Sequence, residues 1–243
     1  MTHHALSLSD LQRAVRFIAP EGVAIAISDP KAVYAALWPE EAVAITNARP
    51  ARQREYAAGR HAARGAMQDL GVRVQAVPSG ADRAPIWPEG LSGSISHDAD
   101  VCIAVIGKRH QFSAIGVDVE PDAPLEDALI SEVCTAAELD PLSGCTRAEK
   151  ALWARRIFSA KEAAFKAQYM LSGAMFGFES LAITYDKSGK RFTARFCQPT
   201  AQIPANACLT GVQIVTQHQV ISLVTIGARQ GMENADFHLC ATG

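Results

Sequence analysis

Asp118 and Glu120 close the run AIGVDVE, and Glu162 and Lys166 lie further on in FSAKEAAFKA, so two short stretches together supply three carboxylates and a lysine. The apolar and β-branched residues of AIGVDVE alternate with period two, which predicts a strand, and residues two apart on a strand leave from the same face. Residues 147–171 are rich in Ala, Glu, Lys and Arg and hold no Pro or Gly, which predicts a helix. On that helix Glu162 and Lys166 stand at i and i+4 and share a face. Two unpaired carboxylates on a buried strand are costly, so they call for a cation. Oxygen donors without clustered Cys or His suit a hard ion; Mg²⁺ takes a few carboxylates, keeps waters and completes its octahedron with phosphate oxygens. The four side chains thus make a candidate metal-assisted phosphate site. Each half also has a plainer reading: the acids as a solvated strand end, and Glu162 with Lys166 as a surface ion pair worth about 0.3–0.5 kcal/mol.

These residues must be positioned by elements on both sides of them. Residues 7–19 read as a helix with Ser7 or Ser9 as N-cap, GVAIAIS as a strand, and 30–38 and 39–48 as short helical patterns. Residues 50–70 form a long Ala-rich helix ended by Gly71. The Pro and Gly rich stretch PSGADRAPIWPEGLSG is a loop able to meet a ligand. VCIAVIG and AIGVDVE, joined by the polar link KRHQFS, read as a hairpin. Residues 125–138 and 147–171 read as helices, followed by strands at 181–185, 191–197, 209–215 and 220–226, with a turn at DKSG. Helices followed by strands occur in each half, which predicts a mixed α+β chain of two similar-sized lobes meeting near residues 108–115, that is 1–112 and 113–243. No internal sequence repeat is evident.

A length of 243 residues allows each lobe its own core. The net charge of −2 provides no global basic field, so a polyanion would have to meet a local cluster of cations, and bulk nucleic-acid binding is disfavoured. The six cysteines show no CxxC and no paired His spacing, which argues against zinc and redox motifs. No secretory pattern opens the chain and no apolar run is long enough to span a membrane, so a cytoplasmic protein with reduced thiols is expected.

The densest cation cluster is Arg49, Arg52, Arg54, Arg60 and Arg64, opposed by Glu55. Arg60 and Arg64 share a helix face, with His61 beside it. The loop region adds Arg83, Trp87, Ser96 and His97. Arginine forks and imidazole suit terminal phosphates. A solvated basic face, and a structural His97, are the plainer alternatives.

REYAAGRHAAR, WPEGLSGSISHD, GVDVE and FSAKEAAFKA, in this order and spacing, resemble the 4′-phosphopantetheinyl transferase superfamily, in its longer monomeric branch that activates siderophore, polyketide and nonribosomal peptide synthetases. The resemblance covers residues 50–180. It implies two pseudo-symmetric α/β lobes with coenzyme A in the cleft between them. It also implies transfer of the 4′-phosphopantetheine arm to a serine of an apo acyl, aryl or peptidyl carrier protein, releasing adenosine 3′,5′-bisphosphate. Carried over by motif, Asp118, Glu120 and Glu162 would hold Mg²⁺, and Glu162 would also serve as the base. Lys166 would act beside the pyrophosphate, and Arg54, Arg60, His61 and His97, with Arg83 and Ser96 from the loop, would bind coenzyme A. Met170, Leu171, Met175 and Phe176 could receive the carrier protein, though apolar residues at that spacing more often belong to a core. Asp98 departs from the small residue or cysteine of close relatives and would set an extra negative charge near a phosphate.

Overall fold

The computed structural model describes residues 6–200, 202–228 and the backbone of 238–239. Helix α1 (Leu8–Ile18) is N-capped by Ser7, whose side chain accepts from the Asp10 amide. Strand β1 (Val23–Ser28) follows, then the short α2 (Pro39–Ala42) running into a 3₁₀ turn, and the long α3 (Pro50–Asp69). Gly71, at φ 70°, lets the chain leave α3. Strands β2 (Leu91–His97) and β3 (Cys102–Lys108) complete a three-stranded antiparallel sheet in the order β1-β3-β2. Strand β4 (Phe112–Pro121) opens a second sheet, followed by α4 (Asp127–Val133), α5 (Ala136–Leu139) and α6 (Arg147–Ser172). Strands β5 (Leu181–Tyr185), β6 (Arg191–Phe196), β7 (Ala207–Val215) and β8 (Gln219–Gly227) give the order β4-β8-β7-β6-β5, with β9 (His238–Leu239) on β7. The architecture is α+β.

Several expectations change. β3 and β4 form no hairpin: β1 and β2 occupy both edges of β3, while β4 pairs with β8. The polar link between them passes the chain from one sheet to the next, and Ile103 and Val105 share one apolar cluster with Ile115, Val117, Val119, Leu223 and Ile25. Residues 30–38 are not helical, and the helix expected over 125–138 breaks at Cys134 and Thr135, where a Thr135–Glu138 capping box starts α5 afresh. Leu91, Ser92 and Gly93, expected in a loop, begin β2; its Ser and Gly residues disguised a strand buried along most of its length. Cys102, Cys134, Cys145 and Cys197 are free thiols, whereas Cys208 is disulfide-bonded, so the expectation of reduced thiols does not hold throughout. Cys240 lies outside the described residues.

Helix α6 packs across β4 and β8 with a face of small side chains: Ala160, Ala163, Ala164 and Ala167 are fully buried. Gly116 completes that approach, because a Cβ there would lie 2.0 Å from the Ala163 carbonyl oxygen. Alanine therefore serves twice in α6, as a helix former and as a spacer that lets the helix axis lie close to the sheet.

A candidate active site between the sheets

Gly116 brings α6 against β4, so Lys166 reaches the strand's acid: its Nζ donates to Asp118 Oδ1 at 2.7 Å, to Ser96 Oγ at 3.1 Å and to the Val117 carbonyl at 3.2 Å. Ser96, at the end of β2, donates to the same Asp118 oxygen at 3.0 Å and accepts from the Val119 amide at 3.3 Å, tying the two sheets together at the site. Asp118 is buried, and its second oxygen, Oδ2, has no hydrogen-bond partner among the described residues. A buried carboxylate oxygen left unpaired is costly, which marks it as a group waiting for a partner.

Glu120 is held by Arg155 of α6 at 2.7 Å, and that guanidinium also donates to the carbonyls of Ala123 and Pro124. Burial pushes Glu120 up to about 7, Asp118 adds to the rise, and Arg155 opposes it. Burial likewise raises Glu162, with Lys166 opposing and Asp118 reinforcing. All three carboxylates line one cleft of about 980 Å³, a size suited to a large ligand. They do not converge on a common point: among the described residues no three acidic, His or Cys side chains come together as a ligand set. Like charges separate, and Asp118 and Glu120 each take the nearest cation instead, Lys166 and Arg155. The donor chemistry and the orphaned Asp118 Oδ2 nevertheless fit a hard cation.

The facing wall comes from α3, the loop before β2 and the turn at residues 43–48. Arg52, Glu55, Tyr56, Gly59 and Arg60 stand at i, i+3, i+4, i+7 and i+8, one helical face, and all line the cleft. Arg60 is buried: Nε donates to the Val77 carbonyl at 2.6 Å, and one terminal nitrogen donates to Tyr56 Oη and Ser79 Oγ, both at 2.9 Å. Arg52 donates to His97 Nε2 at 2.6 Å. An arginine cannot accept, so that nitrogen carries the lone pair and His97 is neutral. Burial is the chief cause that lowers His97, and Arg52 lowers it further.

The expected substrate residues Arg60, Arg83, Ser96, His97 and Lys166 therefore share the cleft, while Arg54 and His61 do not line it. Two residues from Arg52 is more than half a turn of helix, so Arg54 is exposed away from the cleft. His61 stacks on Tyr34 at 4.2 Å between centroids. Arg64, expected beside Arg60, instead pairs with the buried Glu41. Arg52 and Tyr56 were missed as cleft residues; their spacing from Arg60 would have found them. Trp87 packs beside Gly93 away from the cleft. Asp98 is turned into the β2–β3 link, where it accepts from the Asp100 and Val101 amides at 2.8 and 2.6 Å, so its charge is spent on a turn. Of the candidate carrier contacts, Met170, Leu171 and Phe176 pack against an apolar cluster that includes Ile157, Leu181, Phe192 and Phe196, and Met175 is exposed.

A wall rich in arginine thus faces the wall that carries the three carboxylates, and Ser96 bonds across from one sheet to the other. The 4′-phosphopantetheinyl transferase N-terminal domain family matches residues 40–107, and the 4′-phosphopantetheinyl transferase superfamily matches residues 114–223. The chain is 35% identical over 164 residues to the 4′-phosphopantetheinyl transferase Svp of Streptomyces mobaraensis, covering 67% of each. It is 34% identical over 158 residues to the 4′-phosphopantetheinyl transferase PptT of Mycobacterium tuberculosis, 65% of this chain and 69% of that one. Identity to enterobactin synthase component D of Escherichia coli K12 is 35% over 143 residues, 58% of this chain and 66% of the other. By these matches the chain belongs to the 4′-phosphopantetheinyl transferase superfamily.

Proposed function

We propose that the protein transfers the 4′-phosphopantetheine arm of coenzyme A to a serine hydroxyl of an apo carrier protein, releasing adenosine 3′,5′-bisphosphate. The observation that carries this reading is the cleft itself, where Asp118, Glu120, Glu162 and Lys166 face Arg52, Arg60, Arg83 and His97. The cationic wall binds the phosphates of coenzyme A and holds the pyrophosphate against the acids. Asp118, Glu120 and Glu162 would hold Mg²⁺, which when bound offsets negative charge on phosphate oxygens. Glu162, whose carboxyl burial raises toward the range of a useful base, takes the serine proton directly or through a water. The serine oxygen then bonds to the β-phosphorus while the bond from that phosphorus to the bridging oxygen breaks, and the electron pair leaves with adenosine bisphosphate. Lys166, already placed beside Asp118, answers the charge on the departing phosphate.

The lobes 1–112 and 113–243 each supply one wall, so a single chain completes the site and a monomer suffices. Carriers of siderophore, polyketide or nonribosomal peptide synthesis are the partners this reading favours, since one similar protein is a component of enterobactin synthase. The test is a mass measurement on an apo carrier panel after incubation with coenzyme A and Mg²⁺. Wild type should add the phosphopantetheine mass, and Asp118→Ala and Glu162→Ala should abolish the gain while keeping their circular dichroism. Transfer retained in both variants would sink the assignment; product release from coenzyme A without a carrier would show a hydrolase instead.

A further inference from the structure

The loop bearing Arg83 is held in shape from the opposite side of the cleft. Ser79 and Pro85 form a β-bridge, the Gly80 amide donates to the Ala84 carbonyl at 2.8 Å, and the Arg83 amide donates to Gly80 at 2.9 Å. At the tip Arg83 sits at φ 69°, a left-handed conformation uncommon for a residue with a side chain. Strain of this kind persists only where neighbours over-determine it. Asp82 is that neighbour. Its Oδ1 accepts from the Ala84 amide at 3.0 Å, spanning Arg83, and its Oδ2 accepts from Tyr169 Oη at 2.7 Å. Gly80 belongs to the same device, because a Cβ there would come 2.6 Å from Asp82 Oδ1.

Tyr169 lies on α6 one turn beyond Lys166 and two beyond Glu162, its ring stacked on Phe165 at 5.8 Å between centroids. The Tyr169–Asp82 bond therefore joins the helix that carries the acid and the lysine to the loop that carries Arg83. Both charge and geometry favour it: the tyrosine hydroxyl is the leading cause that holds Asp82 below its usual range.

We infer that Tyr169 is a positioning residue for the substrate-binding loop, fixing the strained Arg83 backbone through Asp82 so that the guanidinium enters the cleft ready-placed. The inference rests on the reading of the cleft as the coenzyme A site. The hydroxyl touches no substrate; its effect passes entirely through Asp82 and Arg83. Pre-placing a charged side chain removes an ordering cost from binding, so its loss appears in affinity and leaves the chemical step alone.

The test is Tyr169→Phe, which keeps the ring and removes the bond. Two measurements separate the latch from the function. In the coenzyme-free protein, hydrogen exchange at the Arg83 and Ala84 amides should quicken in Tyr169→Phe and in Asp82→Ala alike; unchanged protection overturns the latch whatever the protein's activity. In transfer kinetics, KM for coenzyme A should rise about five-fold at unchanged kcat, the loss expected for one ordinary, solvent-accessible hydrogen bond. In an Arg83→Ala background the same substitution should change nothing further. An unchanged KM, a fall in kcat alone, or a full second loss on top of Arg83→Ala would each overturn the inference.

Discussion

His97 shows how a single side chain was ambiguous until its neighbour was known. Its sequence context allowed a phosphate ligand or a structural imidazole, and the Arg52 bond makes it a neutral acceptor lining the cleft. Its folded value already lies below the ordinary histidine range, mainly through burial. A phosphate arriving beside it stabilises the imidazolium and raises that value, so binding takes up a proton. The sign follows: coenzyme A affinity should grow as pH falls through the value in the complex and level off below the lower value of the free protein. Calorimetric titration across that window checks it, and His97→Gln should flatten the profile. Arg52 itself was legible only as one of five arginines, because charge density does not say which face of a helix meets the ligand; its register with Tyr56 and Arg60 does.

The two long helices share a device that sequence comparison of the halves does not show. In the first half Glu41, which accepts from the Trp38 amide at the start of α2 at 3.2 Å, also accepts from Arg64 with both oxygens at 2.8 Å and from the Val77 amide at 3.0 Å. In the second Glu138, in a capping box at the start of α5, accepts from Lys161 at 3.0 Å and from the Ile183 amide at 2.7 Å. The separation from acid to cation is 23 residues in each. Each buried carboxylate thus gathers a helix start, a long helix and the chain beyond it. Lys161 is wholly buried and also donates to the carbonyls of Val133 and Phe178, so it fastens α4 and the entry to β5 onto α6. Removing one partner of such a pair leaves a buried charge: Lys161→Ala should cost about 3–5 kcal/mol in denaturant unfolding. Arg147→Ala, which breaks the exposed pair with Asp127, should cost less than about 1 kcal/mol in the same assay. In the motif FSAKEAAFKA, therefore, the first lysine builds the fold while the acid and second lysine face the cleft.

Across the whole molecule, the site depends on how closely two layers approach. Gly116 and the alanine face of α6 set that distance, and with it the 2.7 Å contact between Lys166 and Asp118. Gly116→Ala forces a methyl group into the α6 backbone and should destabilise by about 1–3 kcal/mol. Unfolding midpoints measure the cost, and transfer activity in the folded protein should fall with it as Lys166 moves off Asp118. Equal stability and activity in the variant would show that α6 can shift without consequence. The shared apolar cluster of Ile25, Ile103, Val117 and Leu223 carries the same lesson, since it welds the sheets that bear the two walls.

The chain's local patterns were enough to place most helices and strands, the acid pair on β4, the acid and lysine on α6, and the family to which they belong. Such features depend on neighbours a few residues apart, where periodicity and caps act directly. The missing hairpin, the strand hidden in LSGSISH, the buried pairing of Arg64 and Lys161, and the separation of Arg54 and His61 from the cleft needed the folded molecule. Each was settled by contacts between distant segments: which strand edge was already occupied, which carboxylate lay within reach, and which helix face met the opposite sheet. The three carboxylates of the opening motif show both halves of this. Their type and spacing raised the expectation of a cation, but Arg155 and Lys166, brought in by the packing of α6, determine how those charges are held.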